Sequence, residues 1–172
     1  MTTLHMVEIR PNLDALVRFL IVQGLDAPGA EPDWGYGIHA WMAAAFGNMA
    51  PKPWRLLSDG RRPARILGYS QHDAQTLWQR MLEFADPSTV AVCSDPAMGI
   101  DSKPMPQWRS GRHLNFEVQC CPVGRKSSTG VEKDLFLIRA DAAGDQPVDR
   151  GTIYCAWLRD LLERNNAATV TA

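Results

Sequence analysis

The sequence lacks a long apolar run. Its longest, around Leu16 to Leu25, is broken by Arg18, Gln23 and Gly24, far short of the roughly 20 residues a membrane-spanning helix needs. The opening MTTLHMVEIRP has no basic segment followed by an apolar one, so no secretory signal is read there. Cysteine is sparse. Cys93, Cys120, Cys121 and Cys155 match no zinc spacing, and an adjacent pair cannot chelate as a C-x-x-C loop does. The expectation is reduced, packed thiols in a cytoplasmic protein. Excess charge of one sign is missing too. The net charge is −1 and the isoelectric point near 6.4, so any basic surface must be local. No H-E-x-x-H, Walker loop, G-x-G-x-x-G or G-x-S-x-G occurs. Neither a metal nor any other cofactor is therefore expected. Internal repeats and low-complexity segments are also lacking.

What is present is an ordinary globular composition over 172 residues, 45% hydrophobic and 22% charged, which excludes intrinsic disorder. Residues 3–10 alternate as a first strand. Pro11 and Asn12 open an amphipathic helix with Leu13, Leu16, Val17, Leu20 and Ile21 on one face. Asp33 caps a second helix, Trp34 to Phe46, whose buried stripe is Ile38, Met42, Ala45 and Phe46. Strands Trp54–Leu57 and Ala64–Tyr69 flank an Asp59–Gly60 turn. Ser70 and Asp73 read as a capping box for a helix to about Phe84. Val90–Cys93 reads as a strand and Ser94–Gln107 as a loop. His113–Cys121 alternates and is expected to pair with Leu135–Ala140 across a polar loop, Gly124–Lys133. A last helix spans about Arg150 to Arg164. The order predicts an α+β ferredoxin-like β-α-β-β-α-β domain, an antiparallel sheet with helices on one face and the last helix beyond it.

Although the chain is balanced, its basic residues gather in two stretches. Lys52, Arg55, Arg61, Arg62 and Arg65 stand against Asp59 alone. Lys103, Arg109, Arg112, Arg125 and Lys126 stand against Glu117 alone. Such edges suit a groove for phosphates, although hairpin tips also carry Lys and Arg simply to stay soluble. The sharper signal is Tyr36-x-x-His39 on the second helix, since residues three apart share a helix edge. An imidazole exchanges protons near neutral pH, and a phenol can orient a phosphate or stabilise its charge. His5 is expected to face solvent, His72 to lie exposed in a first helical turn, and His113 to join a basic edge. Most of the tryptophans read as core, with Trp108, beside Arg109, a candidate stacking platform.

Several segments together, GYGIHAWMAAAFG (35–47), PWRLLSDGRRPARILGYSQHDAQTL (53–77), SKPMPQWRSGRHLNFEVQCCPVGRK (102–126), EKDLFLIRA (132–140) and TIYCAWLRDLLER (152–164), resemble the CasE-type CRISPR RNA-processing endoribonucleases of type I-E systems. The resemblance runs from Met1 to about Arg164. It implies metal-independent cleavage of precursor CRISPR RNA at the repeat stem-loop, leaving a cyclic phosphate. It also implies retention of the enzyme on its product, beside the other subunits of the type I-E Cascade complex. The family's catalytic His and the Tyr three residues before it match His39 and Tyr36. His39 is general acid or base and Tyr36 orients or stabilises charge. Lys103, Arg109 and Arg112 are expected to hold the RNA backbone, with Arg125 and Lys126 beside them.

The resemblance further implies a division into a ferredoxin-like catalytic domain, residues 1–148, and a connecting helix and tail, residues 149–172. These lead toward a second ferredoxin-like half with a glycine-rich loop, of which the sequence contains neither. Two alternatives stand beside the nuclease. One is a truncated, non-catalytic RNA-binding or assembly module; the other is a small metabolite-binding protein with a tryptophan-lined pocket.

Overall fold

A computed structural model describes residues 3–25, 33–58, 60, 62–95, 99–107, 109, 111–115, 117–118, 120–125, 130–144, 146–164 and 168–170. They fall into two compact units, Met1–His113 and Leu114–Ala172.

The first unit runs β1 (His5–Ile9), α1 (Leu13–Val22), α2 (Trp34–Phe46), β2 (Trp54–Leu57), β3 (Arg65–Ser70), α3 (Ala74–Phe84), α4 (Pro87–Ala91) and β4 (Ile100–Pro104). Its four strands form one sheet in the order β2-β3-β1-β4, with every pairing antiparallel. This is the β-α-β-β-α-β topology of the ferredoxin-like α+β fold expected from the element order.

Side-chain alternation sorts the sheet into two faces. Val7 and Ile9 on β1 stand opposite Gly68 and Ile66 on β3, and opposite Ser102 and Ile100 on β4. Val7, Ile9, Ile66 and Ile100 are buried in one core with Leu16, Phe19 and Leu20 of α1, Ile38, Trp41, Met42, Ala45 and Phe46 of α2, and Leu77 and Met81 of α3. The other face carries Met6, Glu8, Arg55, Leu57, Arg65, Leu67 and Tyr69, all half-buried, and the exposed Asp101 and Lys103. Glu8 sits there between two cations, 2.7 Å from Arg10 and 3.6 Å from Arg65.

Each helix of this unit starts on a side-chain acceptor. Asn12 accepts from the Ala15 amide at 3.0 Å, Asp33 from the Tyr36 amide at 3.0 Å and Asp73 from the Thr76 amide at 2.8 Å. The Ser70–Asp73 capping box is therefore corrected. Asp73 is itself the cap, while Ser70 donates to the Met49 carbonyl and accepts from the His72 amide. Val90–Cys93 is not a strand; Val90 belongs to α4, which starts at Pro87 behind its cap Asp86, a proline suited to a first helical turn. The Ser94–Gln107 segment is not all loop, because it contains the edge strand β4.

The second unit pairs β5 (Val123–Arg125) with β6 (Glu132–Asp134) and continues into α5 (Leu135–Ala143) and α6 (Arg150–Arg164). Two expectations are overturned here. The described residues of 113–121 form no strand, and Leu114 and Val118 are exposed. Leu135–Ala140 is helix: Asp134 caps it through the Phe136 amide at 2.7 Å, and Gly144 ends it at φ 60°. The Tyr154 hydroxyl donates to the other Asp134 oxygen at 2.6 Å, tying α6 to that cap. The Arg150 guanidinium lies 4.4 Å from the Phe136 ring centre.

The thiols are corrected as well. Cys93 is buried, whereas Cys120, Cys121 and Cys155 are exposed and unpaired.

Gly68 of β3 has little room for a further atom. A Cβ there would lie 2.9 Å from the Pro51 Cβ, 3.1 Å from the Trp54 Cβ and 3.2 Å from the Pro53 carbonyl oxygen. None of these can swing aside, since the Pro51 Cβ belongs to a ring, the Pro53 oxygen to the backbone, and the Trp54 Cβ is fixed by its own Cα. Alanine gains about 0.4–1 kcal/mol through the unfolded chain, but overpacking costs about 1–3 kcal/mol. Gly68→Ala is thus expected to lower the unfolding free energy by about 1–2 kcal/mol in urea titrations.

Candidate active site

The site begins with how α2 is held. Its inward stripe, Gly37, Ile38, Trp41, Met42, Ala45 and Phe46, is buried. A Cβ on Gly37 would come within 2.9 Å of the Leu20 Cδ1, so the missing side chain lets α1 and α2 approach closely. Trp41 is fully buried and its Nε1 donates to the Thr89 carbonyl at 3.0 Å. The Phe46 ring meets it edge-on, with centroids 5.6 Å apart. With that stripe turned inward, the outward edge carries Tyr36, 54% exposed, and His39, also exposed. Three residues of helix separate them, which sets their Cβ atoms about 5–6 Å apart. A phenol and an imidazole thus stand side by side on one solvent-facing edge near the N-terminal end of α2.

Thr89, the carbonyl partner of Trp41, is itself fixed by the α4 cap. Its Oγ1 donates to Asp86 at 2.8 Å and its amide donates to the same carboxylate at 3.1 Å. Hydrogen bonds from Ser88, then from Thr89, hold the Asp86 carboxyl down at about 2. Burial and, less strongly, the nearby Asp95 push the Cys93 thiol up to about 12, so it stays protonated.

The basic residues expected to serve this site are scattered. Lys103 stands opposite Met6 in the sheet, on the face turned away from the helices, whereas its neighbour Ser102 faces them and accepts from the α3 amide of Ala74 at 2.8 Å. Arg109 and Arg112 are exposed on a turn closed by the Arg112 amide on the Arg109 carbonyl at 3.3 Å, with Gly111 at φ 81°. Arg125 lies in the second unit, across the strand pair from Glu132 and 2.9 Å from it, so its charge is compensated. Lys126, Trp108 and Arg61 lie outside the described residues.

The remaining histidines differ from the expectation in two places. His5 does not face solvent. It lies on the helix-covered side of β1, with Nδ1 buried and without a hydrogen-bond partner. His72 is half-buried behind Ser70. His113 is exposed. Of the tryptophans, Trp41 is core and Trp34, Trp54 and Trp78 pack against it.

What the sequence reading passed over is the sheet face turned away from the helices of the first unit. Arg55, Arg65 and Tyr69 share it, and the alternation within WRLL and RILGYS was the available signal.

The fold defines the class, an α+β domain of ferredoxin-like topology. The family comparison then matches residues 4–168 to CRISPR associated protein, and the chain belongs to that family. Its place is therefore in a CRISPR system. Comparison with curated proteins and with solved structures finds no match. Among the described residues no helix is long and apolar enough to cross a membrane.

The depressed Asp86 carboxyl gives α4 a signed pH dependence. Its cap contributes in full above the ordinary carboxylate range near pH 4 and is lost as pH falls through about 2. Other caps, Asp73 and Asp134, shift the same way, so the difference between proteins isolates Asp86. Thermal unfolding is expected to show Asp86→Asn less stable than the parent at pH 6, with the gap closing between pH 4 and pH 2.

Proposed function

We propose that this chain is a CasE-type, metal-independent endoribonuclease. It cleaves precursor CRISPR RNA at the base of the repeat stem-loop and then stays with the product among the subunits of the type I-E Cascade complex. The observation that carries the reading is the outward placement of Tyr36 and His39 on one edge of α2, whose opposite face is sealed in the core. Membership of the CRISPR-associated family supports RNA as the substrate.

The chemistry asks little beyond this pair. The ribose 2′-oxygen attacks the adjacent phosphorus while the bond to the 5′-oxygen breaks, giving a 2′,3′-cyclic phosphate and a free 5′-hydroxyl. One proton must leave the 2′-oxygen and one must reach the departing 5′-oxygen. His39 handles one of these transfers as general base or general acid, and water handles the other. Tyr36, a turn away on the same edge, donates to a non-bridging oxygen and steadies the charge that builds there. Arg109 and Arg112, exposed on their turn, together with Lys103, contribute salt-dependent contacts to the RNA backbone. Arg125 and Lys126 complete the basic set assigned to RNA.

His39→Ala is expected to lower the single-turnover rate on cognate repeat RNA by about 10²–10⁴-fold, and Tyr36→Phe by about 10²-fold. Far-ultraviolet circular dichroism should be unaltered, since both side chains are exposed. Cleavage by His39→Ala at the parental rate, or complete loss of parental cleavage in a metal chelator, overturns the assignment.

A further inference from the structure

Among the described residues two buried polar atoms lack a hydrogen-bond partner, Nδ1 of His5 and Nη1 of Arg80. A neutral imidazole leaves one ring nitrogen without a proton, so His5 needs no acceptor at that atom. A guanidinium cannot shed its proton, so the Arg80 N–H stays a donor with nothing to receive it. Arg80 lies half-buried on α3. Its guanidinium carbon stands 4.0 Å from the centre of the Phe84 ring, and Phe84 is 68% exposed, so the pair sits at the surface. Among the described residues no carboxylate pairs with Arg80, Glu83 on the same helix included. What Arg80 does adjoin is the end of α2. A Cβ on Gly47, the residue that closes α2 at φ 60°, would lie 3.4 Å from the Arg80 Nη2. Residues 36, 40, 43 and 47 recur at the helical period, so Gly47 continues the outward stripe that starts at Tyr36, with His39 on its border. No charged residue occurs from Trp34 to Gly47, and Arg80 brings a cation to the end of that stripe.

We infer that Arg80 is a phosphate contact for RNA crossing the outward edge of α2, gripping the backbone a few nucleotides from the bond beside His39. The inference rests on the reading of the chain as an RNA-cleaving enzyme. Gly47 follows His39 by eight residues, or about 12 Å along the helix axis, so a strand lying along α2 meets the imidazole and then the guanidinium. A capping role for Arg80 would place its N–H groups on the carbonyls that end α2. Instead the Ala43 carbonyl takes the Gly47 amide, and the Arg80 Nη1 is left with no acceptor. Phosphate supplies what is missing, since two of its oxygens match two N–H groups of the guanidinium fork. Between the two side chains the stripe carries only Ala40, Ala43 and Gly47, so a ribose–phosphate strand can lie close against the helix.

The test measures binding of the full chain to labelled repeat RNA carrying a 2′-deoxyribose at the scissile position, by fluorescence anisotropy over a range of salt. Arg80→Gln keeps a polar side chain and removes the charge; Arg80→Lys keeps the charge and removes the fork. Circular dichroism and thermal unfolding check that each variant folds, and binding is read well below its melting temperature. Arg80→Gln is expected to bind about tenfold more weakly, with a log Kd against log salt slope shallower by about 0.7–0.9 for the lost phosphate contact. Arg80→Lys is expected to keep the parental slope and bind a few fold more weakly. Parental affinity in folded Arg80→Gln overturns the contact and leaves Arg80 as a packing residue between α2 and α3. Weaker binding with the parental slope overturns it too, since no phosphate contact has then been removed. If Arg80→Gln does not fold, Arg80→Lys decides, and parental affinity in that variant overturns the contact. None of these outcomes touches the nuclease reading, which is decided by cleavage in His39→Ala. Should His39→Ala cleave normally while Arg80→Gln loses affinity and slope, the nuclease assignment fails and the phosphate contact stands. Failure of the parental chain to bind the RNA overturns both.

Discussion

The rotation of α2 about its own axis is the constraint on which the outward placement of Tyr36 and His39 depends. Trp41 sets it most strongly. A fully buried indole anchored through Nε1 to the Thr89 carbonyl cannot turn outward without abandoning both its apolar contacts and that bond. Ile38 and Ala45 are sealed at 0% exposure on the same side, and Gly37 presses against Leu20. Once that stripe is fixed, the 3.6-residue period leaves Tyr36 and His39 no place but the outer edge. The site is thus a by-product of core packing, and α4 supports it at one remove because its Asp86 cap holds Thr89 in position.

The two faces of the sheet divide the remaining work. One face is apolar and covered by helices. The other carries charge and a tyrosine, with Glu8 bridging Arg10 and Arg65 at its centre. The strand register enforces this division, since a slip by one residue exchanges the two sets. The exposed Tyr36–His39 edge of α2 and the charged face of the sheet therefore occupy different sides of one small domain. Mutations in one can be read without disturbing the other.

Much of the first unit was legible from its residues. Asp33 ahead of WGYGIHAWMAAAF and Gly47 behind it bound α2 to the residue, because cap chemistry is local and the apolar period is clear. The hairpin strands were legible for similar reasons. The edge strand β4 was not. Only Ile100 of IDSKP is buried, so its sequence shows no alternation to read, and its strand character comes from pairing with β1. The opposite holds at 113–121, where the alternation is present but the described residues form no strand. At Leu135–Ala140 a run of apolar residues suits a strand as well as a helix, and Asp134 before it and Gly144 after it are the helix start and stop signals that decide it. Within the candidate site, Tyr36 and His39 were legible as a pair. The placement of Lys103 on the far face was not, since it depends on register with Met6.

The most direct measurement of the central claim is a side-chain ¹⁵N correlation spectrum of the histidines during titration with repeat RNA carrying a 2′-deoxyribose at the scissile position, which binds but cannot be cut. The ring nitrogens of His39 are expected to shift or broaden on binding, while those of His5, on the helix-covered side of β1, stay in place. An unmoved His39 signal in a chain saturated with that RNA would contradict the account.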